Sequence, residues 1–131
     1  MKYTSSQIEK CQADVEERFN KINLVLQKII IGFATDDIHD FRVEIKKLKA
    51  LLRLFSSVAM DPSAYRFPKS MNKVYKAMGH LREWQIQHQK ISKSCSERNY
   101  IEPVSYLNKI GRKTDLCKLK AGELIRYLPS L

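Results

Sequence analysis

Residues 38–55 read IHDFRVEIKKLKALLRLF, with five Lys or Arg, one His and nine Val, Ile, Leu or Phe side chains. A protein core excludes bare charge, yet half of this stretch is apolar. The spacing separates the two kinds. At about 100° per residue, Ile38, Phe41, Ile45, Leu48, Leu52 and Phe55 fall in one helical sector about 100° wide. His39, Arg42, Lys46, Lys49 and Arg53 follow one another at intervals of three and four residues. They occupy an adjacent sector of about 80°. Val43, Ala50 and Leu54 border that row on its other flank. Asp40, Glu44 and Lys47 lie off the row, and no acid lies on it. The stretch therefore predicts a helix with one face for a core and a cationic row of one sign beside it.

The neighbouring segments carry the same period. Thr35 or Asp36 is the expected cap of this helix, and Asp36 and Asp37 suit the positive end of its dipole. His39 is expected in its first turn, and the helix is expected to run to about Val58. Upstream, Ser6 and Glu9 have capping-box spacing. Ile8, Val15, Ile22 and Ile29 recur every seven residues, and Gly32 is an expected helix end. Residues 59–68, AMDPSAYRFP, predict a loop with a turn at Asp61-Pro62. Pro68 opens a third helix to about Glu97, through Met71, Val74, Tyr75, Met78, Leu81, Trp84 and Ile91. Pro103 opens a fourth, through Tyr106, Leu107, Ile110, Leu116, Leu119, Leu124 and Leu128, with Pro129 closing it. Gly111 and Gly122 are expected to bend or split this last helix. Alternating strand patterns are absent. The expected fold is all-α: an antiparallel four-helix bundle forming one domain over residues 1–131.

Composition bounds the partners. The chain has 131 residues, 44% hydrophobic and 29% charged, which suits a folded chain rather than a disordered one. Its formal net charge is +10, which favours polyanions: nucleic acid, an anionic membrane surface or polyphosphate. The excess is uneven. Residues 1–60 hold ten Lys/Arg against eight Asp/Glu, and residues 61–131 hold fourteen against six. Cys11, Cys95 and Cys117 are odd in number and lack C-x-x-C spacing. That argues against a disulfide framework and a zinc site. No signal peptide and no apolar run of membrane-spanning length is evident, so a cytoplasmic location is expected.

The cationic row has a physical cost. Like charges three or four residues apart repel by a few tenths of a kcal/mol per pair. A bound polyanion removes that repulsion, and phosphoryl oxygens accept charge-assisted bonds from Arg and Lys. His39 can donate from a ring nitrogen in either protonation state. The spacing equally fits a solvated face, and a single His near a helix start most often caps or packs.

The string IHDFRVEIKKLKALLRLF resembles the signature of the CHAD domain, the conserved-histidine α-helical domain. That pattern is roughly His-x-x-Arg-Val-x-x-[Arg/Lys]-[Arg/Lys]-Leu-[Arg/Lys], followed by an apolar run. His39, Arg42, Val43, Lys46, Lys47, Leu48, Lys49 and Phe55 match it. Met78 to Ile86, MGHLREWQI, resembles the family's Leu-Gly-x-x-Arg-Asp-x-Asp-Val segment. Gly79, Arg82, Glu83 and Ile86 fit, while Gln85 replaces an acid. The resemblance implies a helical module that binds inorganic polyphosphate in a basic channel and is not itself known for catalysis. The family's usual Arg positions are here Lys46, Lys47 and Lys49, which lose bidentate geometry. A full CHAD domain has two similar four-helix halves, and this chain resembles the first. A C2 homodimer that rebuilds the missing half is therefore expected.

The expected polyphosphate-binding residues are His39, Arg42, Lys46, Lys47, Lys49, Arg53, Lys76 and Arg82. Lys76 belongs to a second basic face, Lys69, Lys73, Lys76 and His80, which reads either as a solvated face or as a second wall of the groove. Lys109, Arg112, Lys113 and Lys120 form a third basic surface, with a solvated face the plainer reading. Trp84 and the tyrosines read as packing residues, since no aromatic-basic interleaving of the RNA-binding kind occurs. His39-Asp40 is similar to a metal phosphohydrolase pair only in composition; the remaining histidines, His80 and His88, do not supply the further ligands. No cofactor, metal or catalytic residue is expected. Two other functions stay open: a nucleic-acid-binding helical protein, and a protein-interaction bundle whose basic row meets a partner's acids.

Overall fold

A computed structural model describes residues 4–60 and 66–128. The seven-residue apolar repeat near the start forms α1 (Ser5–Gly32), which buries Cys11, Val15, Ile22, Leu26 and Ile29. The opening stretch lies in α2 (Thr35–Val58), followed by α3 (Lys69–Arg98) and α4 (Val104–Arg126). The described residues contain no strand. The arrangement is an antiparallel bundle. α1 packs on α2, α3 packs on α4, and α2 joins the two hairpins through α3.

All six residues of the apolar sector of α2, Ile38, Phe41, Ile45, Leu48, Leu52 and Phe55, are buried, as is Val58. They meet Ile22 and Ile29 of α1 and Met71, Met78 and Leu81 of α3 in one core. Burial of such side chains contributes about 1.5–3 kcal/mol each. Arg18 of α1 and Glu44 of α2 add an ion pair at 2.9 Å on the rim.

Several ends differ from the sequence expectation. The first capping box is Thr4 with Gln7, not Ser6 with Glu9. The Thr4 hydroxyl accepts from the Gln7 amide at 3.2 Å, and the Gln7 side chain accepts from the Thr4 amide at 2.8 Å. Both pairs have the required spacing, and the earlier one lets the helix begin sooner. Neither Thr35 nor Asp36 caps α2. Ala34 holds the cap position without a side-chain bond, and Thr35 is already helical. His39 therefore sits in the second turn, beyond the free amides of the helix start. Pro68 and Pro103 are the cap residues just before α3 and α4 rather than their first residues. α4 is one continuous helix across Gly111 and Gly122. Two helical glycines lower propensity, but packing along α3 outweighs that. The Asp61-Pro62 turn and Pro129 lie outside the described residues.

The α1–α2 turn is set by Phe33. It adopts the left-handed region, φ 49°, where a non-glycine residue costs about 1–2 kcal/mol. Its amide donates to the Ile29 carbonyl at 2.7 Å. Its carbonyl accepts from Gln85 Nε2 at 3.2 Å. Its ring faces Gly122, where an added Cβ would stand 3.8 Å away. Three helices thus hold this turn in place. α3 runs on past Gln85 to Arg98, so the α3–α4 hairpin reaches beyond the α1–α2 pair. Its tip is apolar and open, with Ile101 96% exposed.

Candidate anion-binding site

The cationic row of α2 divides into two groups. Arg42 and Lys49 lean onto α3. Arg42 Nη1 donates to the Tyr75 carbonyl at 3.0 Å, Nη2 approaches the Tyr75 hydroxyl at 3.4 Å, and the guanidinium lies 4.3 Å from the ring centroid. Lys49 Nζ reaches Asn72 Oδ1 at 3.4 Å and lies 4.5 Å from the Tyr75 ring and 4.9 Å from the Phe67 ring. One tyrosine ring thus carries two cations that stand two helical turns apart on α2. Cation–π contacts contribute about 0.5–1 kcal/mol each at such partly open sites.

Gly79 makes the Arg42 contact possible. A Cβ at Gly79 would come within 2.6 Å of Arg42 Nη1. The absent side chain forms a slot through which the guanidinium reaches the backbone of α3. This gives Gly79 a reason that neither turn geometry nor positive φ supplies.

His39, Lys46 and Arg53 form the second group. All three are exposed. Among the described residues they make no hydrogen bond or ion pair. The charges of Lys46 and Arg53 therefore stay uncompensated beside the pinned pair. Arg82 of α3 is half-buried and donates to the Thr35 carbonyl at 3.3 Å. It joins the row at the first turn of α2 rather than pairing with Glu83.

Two expected residues lie elsewhere. Lys47 pairs with Glu44 of its own helix at 3.6 Å and lines a depression between α1 and α2 with Lys21, Lys28 and Asp40. Lys76 lines a groove between α3 and α4 with Lys73, His80 and Lys120. Sequence reasoning does not anticipate Tyr75, Phe67 or Asn72 as partners of the row. The signal available is their placement: Asn72, Tyr75 and Gly79 recur at three and four residues along one edge of α3.

The remaining chemistry is sparse. Among the described residues, no group of three or more His, Cys, Asp or Glu is placed to hold a metal ion. Burial raises the Cys11 thiol pKa, and Asp14 adds to it. Burial also raises that of Cys117, against the pull of Lys120 and Lys113. Both are therefore protonated at neutral pH and poor nucleophiles. No described helix is long and apolar enough to cross a membrane.

Comparison with known proteins identifies the class. The family model for the CHAD domain matches residues 13–121. The chain belongs to the CHAD domain family. Such domains bind polyphosphate-related ligands in general and are generally not catalytic on their own. No curated protein and no solved structure matches the chain.

Proposed function

We propose that this protein is a non-catalytic cytoplasmic module that captures inorganic polyphosphate along the cationic row of α2. The observation that carries this reading is the unpaired state of His39, Lys46 and Arg53 beside Arg42 and Lys49, which α3 holds in place. Lys46 and Arg53 supply long-range attraction, and His39 adds a ring N–H donor. The pinned cations supply preorganised donors. An ammonium has three protons and a guanidinium five, so Lys49 and Arg42 keep donors for phosphoryl oxygens after their contacts with α3. Arg82 extends the row at its His39 end. Capture releases condensed counterions, so affinity falls with salt by a log–log slope of roughly 0.7 per cation engaged.

A titration of labelled polyphosphate across a salt series tests the proposal. Saturable binding with a slope near 3 in magnitude supports engagement of about four to five cations. Displacement by duplex DNA at equal phosphate concentration would instead favour general nucleic-acid binding.

The proposal includes a second copy of the chain as the opposite wall of the channel. Exposed Ile31, Leu116 and Leu119 give the association apolar surface beyond what the basic row provides. Light scattering is expected to give a dimer mass at high micromolar concentration. A monomer mass there removes the second copy from the proposal and leaves the row itself.

A further inference from the structure

The basic surface does not end at the α2–α3 edge. On α3, Lys76 follows Asn72 by one turn, and residues so spaced have Cβ atoms about 5–6 Å apart. Asn72 is the residue that Lys49 reaches. Past this point the surface descends into the groove lined by Lys73, Lys76, His80 and Lys120, with Ala77 and Leu124 as apolar lining. Lys120 comes from α4, forty-four residues after Lys76 (120 − 76). Among the described residues, Lys73, Lys76 and Lys120 have no ion-pair partner. His80 lies 4.0 Å from Glu83, and both are exposed. Glu123 lines the adjoining depression with Lys73 and Lys120 without approaching either to ion-pair distance. The fold has gathered three lysines from two helices around one concavity, none of them ion-paired among the described residues.

We infer that the α3–α4 groove is a second phosphate-binding station, occupied by the continuation of a polyphosphate chain seated along α2. This rests on the proposed polyphosphate binding and adds a consequence to it: one copy of the protein discriminates chain length. A short polyphosphate fills the α2–α3 edge alone. A longer one crosses the Asn72–Lys76 ridge and engages the groove as a tethered second contact. Linked contacts raise overall affinity without any new contact at the first site.

The test compares tripolyphosphate and long-chain polyphosphate on three forms of the full chain. These are the wild type, a groove variant (Lys73→Gln with Lys120→Gln) and a row variant (Lys46→Glu with Arg53→Glu). Gln keeps helix propensity and side-chain length at exposed positions. The wild type is expected to prefer the long chain by roughly tenfold or more per molecule. The groove variant is expected to lose most of that preference while binding tripolyphosphate as the wild type does. Its salt slope for the long chain should shrink by about 1.4, or roughly 0.7 for each cation removed. If the groove variant keeps the full long-chain preference, the second station is overturned and the α2 row stands. If the row variant binds both ligands like the wild type, the α2 site itself fails. If tripolyphosphate affinity falls equally in both variants, the two stations are one site and the length discrimination is overturned. Circular dichroism of the groove variant checks that its helices persist.

Discussion

Gly79→Ala is expected to destabilise the wild-type protein by about 1–2 kcal/mol and to stabilise the Arg42→Ala variant by about 1 kcal/mol. The sign reverses because two effects compete at this position. In a helix interior, Ala is favoured over Gly by about 0.8–1.0 kcal/mol. In the wild type, the added Cβ would stand 2.6 Å from Arg42 Nη1. The contact is with the far end of a side chain, so the guanidinium swings away rather than the helices parting. What is lost is its bond to the Tyr75 carbonyl at 3.0 Å and its stacking at 4.3 Å. A hydrogen bond from a charged group contributes about 1.5–3 kcal/mol, and partial exposure puts this one toward the lower end. Remove Arg42 and only the propensity gain remains. Urea unfolding of the four corners of this double-mutant cycle measures the coupling directly. Equal effects of Gly79→Ala in both backgrounds would mean that the slot has no energetic role.

The same slot shows where sequence reasoning reaches and where it stops. The apolar sector from Ile38 to Phe55 is legible because burial follows the 3.6-residue period, and every residue assigned to it is buried. The cationic row is legible as a row. Its division is not. Whether Arg42 stands free or lies across another helix depends on how α3 docks, and spacing within α2 carries no information about that. Gly79 reads only as a motif residue, because its role is an absence of atoms facing a side chain thirty-seven positions earlier (79 − 42). The turn at Phe33 escapes for a related reason. Gly32 is the residue that local rules favour for the left-handed position. Tertiary contacts from Gln85 and the space at Gly122 place Phe33 there instead. By sequence Lys76 shares a face of the third helix with Lys73 and His80, and the structure adds Lys120 of α4 to them. In each case the deciding partner is nonlocal.

The row itself yields the largest functional effect. Lys46→Glu with Arg53→Glu is expected to weaken polyphosphate binding by roughly 100-fold or more, equivalent to about 2.8 kcal/mol. Stability is expected to stay within about 0.5 kcal/mol of the wild type. The two expectations separate because both side chains are exposed and neither makes a hydrogen bond or ion pair among the described residues, so folding depends little on them. Binding depends on them twice. Each reversal removes a charge-assisted contact of about 1.5 kcal/mol or more and places an acid in a row that held none. Lys49→Ala should behave differently. It removes a cation that also bridges to Asn72 and lies over two rings, so stability and affinity should fall together. Isothermal titration beside urea unfolding reads both quantities on the same samples. An affinity within threefold of the wild type for the double reversal would show that α2 presents a solvated face. A loss of affinity matched by a loss of stability would show that these cations hold the bundle together rather than its ligand.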